Sequence, residues 1–400
     1  MNRGVRAGLL LALLAMTTGL VYVASWSGSE DTGGSASTIT TQAVVPPALP
    51  QATPATVAEQ PPTTSEATPS SMDDPATTYL IWVSGGLSPD FVAGLEELSG
   101  QVSVVKGDSV ELAAGDDGAI PLDGLALDPV AHQPFDPHRA LAPLQAGTIV
   151  LGETSASLRR VETDDQLLLA GHEYRVAAIV PDEVVAAAEV VFHVDDPNLP
   201  VATDRFALVK TVMSRSRLAG AVAGLHGDRF GLRVRAEGDV PWLRHADGIL
   251  PQVFLKVELG EFSYTGLEGG EFQQSAGFMD ASIVATDIPL LGEVKCHRTV
   301  TELLVGVMDD LVKAGLADLV DPAGFAGCWY PRFTRTATGS PAGVSRHAWG
   351  AAVDINAPAN PFGAEGSQDS RLVETFKTWG FNWGGDWALP DPMHFEYAGR

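Results

Sequence analysis

The stretch Ser345–Asn356, SRHAWGAAVDIN, sets His347 and Asp354 seven positions apart with a glycine between them. AAVDIN reads as a short strand, because alternation sends Val353 and Ile355 to one face and Asp354 to the other. A carboxylate in such an apolar strand is costly to bury unless it is paired or bound to a metal. Two readings follow: a hydrogen-bonded turn that feeds a buried strand, or two ligands of a metal. A catalytic zinc needs three protein ligands and an open position, so the fold of this region turns on finding a third.

The third candidate is His394 in PDPMHFEY. In a strand there, His394 and Glu396 share one face, while Phe395 and Tyr397 take the other. Two strands of one sheet would then bring His347, Asp354 and His394 to one cleft and send their apolar neighbours to the core. Asp391 stands three residues before His394 on a turn stiffened by Pro390 and Pro392, placed to take a proton from an attacking water. Arg332 and Arg335 lie upstream in CWYPRFTRTATGS and could bind a substrate carboxylate or a developing oxyanion. Trp349, Trp379, Trp383 and Trp387 read mostly as core, though one or two of them could line a substrate groove near WGGDW. The two-histidine, one-carboxylate site of non-haem iron oxygenases is a rival, but it usually begins His-x-Asp and relies on cosubstrates foreign to an exported protein.

Around these motifs the C-terminal part, residues 256–400, reads as a compact α+β domain. Leu303, Leu304, Val307, Met308, Leu311 and Val312 recur at helical spacing before Gly315. DSRLVETFKTWG is a second helix, capped by Asp369 or Ser370, with Leu372, Val373, Phe376 and Trp379 on one face.

Residues 79–255 read as a mostly β domain. YLIWVS, VSVVKGDSVEL, GTIVLGE, QLLLAGHEYRVAAIV, AAEVVFHV, FALVKTV and FGLRVRAEG are short, β-branched and separated by Gly, Asp and Pro clusters. His132, His138, His172, His193, His226 and His245 are scattered through it with no ligand-like spacing. Within it, the LGETSASLRR run and the strand pair that follows resemble the small β-rich part of periplasmic regions in exporter-type permeases. No transport function follows, since the chain offers no second membrane span.

Residues 27–78 form a Pro-, Ser- and Thr-rich linker without Lys, Arg or an aromatic residue, a composition that stays disordered. Residues 1–26 pair Arg3 and Arg6 with an uncharged run from Gly8 to Trp26, which reads as a signal anchor or a signal peptide. The remainder is therefore expected to be exported, at the outer face of the cell membrane or secreted to the cell wall. In that compartment the two cysteines, Cys296 and Cys328, suggest one disulfide, with two buried thiols as the alternative. A formal charge of -25, from 50 acidic and 25 basic residues, argues against a nucleic-acid partner.

S-R-H-A-W-G-A-A-V-D-I-N, followed by G-G-D-W and D-P-M-H-F-E, resembles the M15 family of zinc peptidases over residues 290 to 398. These D-Ala-D-Ala carboxypeptidases and L-Ala-D-Glu endopeptidases cut peptidoglycan stem peptides. The family pattern S-x-H-x6-D, then [DE]-x-x-H, falls on Ser345, His347, Asp354, Asp391 and His394. The resemblance implies an α+β zinc-peptidase domain binding one Zn2+ per chain through His347, Asp354 and His394. It further implies Asp391 as general base and Arg332 or Arg335, with Arg332 preferred, as the transition-state cation. Ser345 and Trp387 are expected at the substrate, and a Cys296–Cys328 bridge is expected too. The implied partners are peptidoglycan stem peptides and the cell wall, with carboxypeptidase action foremost. An endopeptidase of the same family, or a non-catalytic cell-wall-binding scaffold, is the alternative; a scaffold would have lost a ligand or the base, and every position is filled.

Overall fold

A computed structural model describes residues 76–99, 101–227, 231–239, 250–334 and 343–399. The signal or anchor, nearly all of the linker, His245 and Arg335 lie outside the described residues. The chain divides into two units, Met1–Glu66 and Ala67–Arg400, and every described residue belongs to the second. No helix among the described residues is long and apolar enough to cross a membrane.

Nine upstream strands come first: β1 Thr77–Val83, β2 Val102–Ala113, β3 Ala119–Leu127, β4 Thr148–Gly152, β5 Gln166–Leu169, β6 His172–Val180, β7 Val190–His193, β8 Asp204–Thr211 and β9 Leu232–Ala236. With β10 Tyr264–Gly266 and β11 Phe272–Gln274 they make one sheet, ordered β11-β10-β3-β7-β4-β6-β5-β2-β8-β1-β9. A further pairing of β2 with β3 closes β3, β7, β4, β6, β5 and β2 into a barrel. The length of β2 makes this possible. It pairs with β8 over Val102–Lys106 and with β3 over Lys106–Ala113, with a register shift at Val105/Lys106 where one partner gives way to the other.

Both faces of the extension from β2 are covered, which explains its nearly continuous apolar strands. Tyr79, Ile81 and Val83 pack against Phe91, Leu95, Leu218 and Val222 from two helices, Pro89–Leu98 and Arg215–His226. Leu80 points the other way, into a cluster with Val105, Phe206 and Leu208. The strand β3 is absent from the sequence expectation because Pro121 and Gly124 interrupt it. It forms because tertiary pairing on both sides, antiparallel to β2 and parallel to β7, overrides local preference.

In the C-terminal part, the hairpin β12 Ile283–Ile288 and β13 Gly292–His297 leads into the helix Arg298–Lys313. That helix buries Val300, Leu304, Val307, Met308 and Leu311, whereas Val312 is 48 % exposed and off the stripe. The second helix runs Ser370–Thr378 with Asp369 as its cap, accepting from the Arg371 backbone N–H. Three antiparallel strands, β14 Ala352–Asp354, β15 Phe381–Trp383 and β16 His394–Tyr397, are ordered β14-β16-β15. Their inner residues Val353, Phe381 and Phe395 join both helices in one core.

A buried polar cluster links the barrel to the C-terminal part. The Nζ of Lys256, on the helix Gln252–Leu259, lies 2.8 Å from Glu189 Oε1 and 3.0 Å from Glu261 Oε1, and donates to the Pro121 carbonyl at 2.6 Å. Arg159 Nη2 lies 2.6 Å from each of the same two carboxylates. Burial pushes the Glu189 carboxyl up, but Lys256 and Arg159 outweigh it and hold the group below its ordinary value.

Candidate metal centre

His347 sits in a tight turn, Arg346–Trp349, that Ser345 caps by accepting from the His347 backbone N–H at 3.3 Å. Gly350 ends the turn at φ +60°, and a Cβ there would lie 2.5 Å from the His297 nitrogen, so the position demands glycine on both counts. The chain then enters β14, whose register sets Asp354 directly opposite His394 of β16. Turn and sheet together converge three side chains that the sequence holds up to 47 positions apart.

His347 is oriented through the nitrogen that faces away from this point. His347 Nδ1 lies 2.7 Å from the Cys328 carbonyl, which can only accept. Nδ1 therefore carries the proton and Nε2 presents its lone pair, 3.4 Å from Asp354 Oδ1. Cys328 is itself tied to Cys296 of β13 by a disulfide. His394 uses its ring the other way round: Nδ1 lies 3.1 Å from Asp354 Oδ1, and Nε2 is 3.5 Å from Glu396 Oε2. Sequence reading put Glu396 on the face of His394 but gave it no role. The i, i+2 spacing in a strand is the signal for a carboxylate behind a ligand histidine.

The ligand atoms of His347, Asp354 and His394 all lie within 4.8 Å of one another, the only such group of His, Cys, Asp and Glu among the described residues. Ligands about 2.0–2.1 Å from a tetrahedral zinc are separated by about 3.3 Å, so the set fits a zinc-sized ion. The electrostatics agree. Burial pushes the Asp354 carboxyl up, but both histidines overcome this and hold it far below the usual carboxylate range. Burial pulls His394 down, yet Asp354 and Glu396 raise it to about 10. Asp354 and Glu396 thus favour a positive charge at His394, an environment in which a divalent cation could take the place of the proton.

Asp391 lies on the neighbouring turn, its N–H donating to the Gly384 carbonyl at 2.9 Å and its carbonyl accepting from His394 N at 3.0 Å. A Cβ on Gly384 would lie 2.4 Å from the Asp391 carbonyl oxygen, so only glycine lets the turn come this close. Asp391 Oδ1 is buried without a hydrogen bond. Burial raises the Asp391 carboxyl and Asp354 adds to it, against His394, His347 and Arg332. Arg332 is fixed by its backbone, which bridges Glu271 and accepts from Ser345 N at 3.0 Å.

The tryptophans divide clearly. Trp349 is buried and donates to Gly260 O, Trp379 donates to Asp310, and Trp383 donates to Pro392 O and stacks on Phe395. Trp387 instead lies against His394, with ring centres 5.1 Å apart. Ser345 is buried as the turn's cap. His132 of the upstream strands' surroundings is also buried, its Nδ1 2.8 Å from Ser103 Oγ, far in sequence from this centre.

Residues 338–397 match the peptidase M15 family model described as D-alanyl-D-alanine carboxypeptidase. The matched stretch contains His347, Asp354, Asp391 and His394, and it supports the M15 family and a peptidase, a hydrolase of cell-wall peptides in general, for this part of the chain. No curated protein matches the chain. Among solved structures, the periplasmic region of MacB from Actinobacillus actinomycetemcomitans aligns at 12% identity and a TM-score of 0.29, covering 41% of this chain and 90% of that one. The extracellular domain of the noncanonic ABC-type transporter YknZ from Gram-positive bacteria aligns at 10% identity and a TM-score of 0.26, covering 39% and 98%.

Proposed function

We propose that this chain is an exported zinc-dependent peptidase that hydrolyses peptidoglycan stem peptides, with D-Ala-D-Ala carboxypeptidase action as its main activity. The observation that carries the reading is the convergence of His347, Asp354 and His394, with Asp391 Oδ1 buried and unpartnered on the neighbouring turn. The description of the matching family favours carboxypeptidase over endopeptidase action.

His347 Nε2, Asp354 Oδ1 and His394 Nδ1 would hold one zinc ion, which when bound supplies Lewis acidity to the scissile carbonyl and to water. The protein's own groups do the rest. Asp391, made more basic by burial, takes a proton from the attacking water and returns it to the leaving amine. Arg332, whose charge is felt at the Asp391 carboxyl, offsets the oxyanion charge. The Cys328 carbonyl holds the His347 ring in place, and Glu396 sets a negative charge 3.5 Å from His394 Nε2. The N-terminal segment would hold the enzyme at the membrane or release it to the wall, where the stem peptides are.

Incubating the zinc-loaded full-length chain with defined muropeptides and weighing the products tests this. Loss of one D-Ala is the expected result; splitting at L-Ala-D-Glu or at a cross-link would reassign the bond, and intact muropeptides would refute the peptidase. Asp391→Asn is expected to retain zinc and lose turnover by about two to four orders of magnitude. Undiminished turnover in the Asp391→Asn variant would remove Asp391 from the proton transfer.

A further inference from the structure

Five buried side-chain polar atoms lack a hydrogen-bond partner among the described residues, and three of them fall between Trp387 and His394: Trp387 Nε1, Asp391 Oδ1 and His394 Nε2. Buried polar groups are normally satisfied, so a cluster of exceptions beside the candidate metal centre marks where a ligand completes the bonding. His394 Nε2 faces Glu396, and Asp391 already has a role in proton transfer. The indole N–H of Trp387 has neither.

The other tryptophans of this part show that the exception is not a habit of the fold. The indole N–H groups of Trp329, Trp349, Trp379 and Trp383 donate to Gln274, Gly260 O, Asp310 and Pro392 O. An indole nitrogen can only donate, so its missing partner must be an acceptor.

The segment that carries Trp387 is also held from outside the peptidase part. Arg233 of β9 donates from Nη2 to the Asp386 carbonyl at 2.6 Å, and Gly231, just before β9, donates from its backbone to the Ala388 carbonyl at 2.9 Å. These two bonds bracket Trp387. Lys377 adds an ion pair with Asp386 at 2.9 Å, and Trp387 N is bonded to Gly384 O at 3.1 Å. The backbone on both sides of the indole is therefore fixed while the indole N–H is left unpaired.

We infer that Trp387 is a specificity-determining residue whose indole N–H donates to an oxygen of the bound peptide, and that β9 positions it through Arg233 and Gly231. The inference rests on the peptidase reading and gives the upstream β region a part in substrate binding. The acceptor is either the terminal carboxylate or a main-chain carbonyl of the peptide.

The test uses full-length, zinc-loaded chain with 15N-labelled tryptophan, in an Asp391→Asn background that slows turnover. The probes are N-acylated Lys-D-Ala-D-Ala with a free or an amidated C-terminus. The Trp387 indole resonance, identified by its loss in Trp387→Phe, should move downfield with peptide, and Trp387→Phe should weaken peptide binding about tenfold at unchanged zinc affinity. An effect confined to the free acid assigns the terminal carboxylate; an equal effect with the amide assigns a carbonyl. A resonance that stays put up to millimolar peptide, or equal binding by Trp387→Phe, overturns the donor role. Arg233→Ala should shift the same resonance without peptide and Arg233→Lys should partly restore it; no shift overturns the role of β9. Binding without cleavage by the unmutated chain would sink the peptidase reading and leave the Trp387 assignment standing.

Discussion

Opening the Cys296–Cys328 bridge should affect stability and metal affinity together. The cysteines are 32 residues apart, and closing a loop of that length removes about 3–4 kcal/mol of unfolded-chain entropy at 25 °C. The bridge also anchors Cys328, whose carbonyl fixes the proton and the aim of His347. With both cysteines replaced by serine, the C-terminal core, reported by the buried Trp349, should unfold at lower urea by a difference corresponding to that free energy. Zinc affinity, measured by competition with a chromophoric chelator, should fall about tenfold or more, the usual consequence of loosening a group behind a metal ligand. Stability loss under about 1 kcal/mol would refute the entropic reasoning, since it is below any loop-length estimate for this span. Stability loss with unchanged zinc affinity would show that the Cys328 carbonyl keeps its place without the bridge.

Two further expectations concern the upstream half. Lys256→Met should destabilise the chain by about 3–5 kcal/mol in urea unfolding, because Glu189 and Glu261 then share Arg159 alone, and adding Glu189→Gln should recover part of the loss. A cost under about 1 kcal/mol would mean that the cluster is hydrated. Burial lowers His132 to about 4, against a smaller upward pull from Asp136. The unfolded chain therefore takes up this proton first, and stability falls as pH drops from about 6.5 to about 4, by about 3 kcal/mol in total. His132→Asn should flatten that slope relative to the unmutated chain, and parallel slopes would exclude His132 as its source.

Much of the site was legible because its signals are local. Val353 and Ile355 against Asp354, and Phe395 and Tyr397 against His394, show period-two alternation, and the observed register joins the polar pair. Gly350 could be read as a turn, though the approach of the His297 backbone that makes it obligatory could not. Glu396 was visible as a neighbour of His394 and was not recognised as its support. The Cys328 carbonyl, which selects the His347 tautomer, leaves no trace in residue identity because every residue but proline has the same backbone groups. The barrel was hidden for another reason. Its closure depends on β3, where Pro121 and Gly124 mask a strand that only long-range pairing stabilises. The contacts from β9 to the loop around Trp387 are equally non-local, joining positions more than 150 residues apart.

The polar cluster at the junction bears on what counts as the smallest working piece of this protein. Lys256 and Gln252 belong to the helix that leads into the peptidase part, yet the Pro121 carbonyl and Glu189, to which both bond, belong to the barrel. A chain cut between the two parts would separate Lys256 from Glu189 and Arg159 from Glu261, leaving one ion pair on each fragment where four charges now share a buried network. Order along the sequence suggests detachable modules, but this shared network couples the stability of the barrel to that of the C-terminal part.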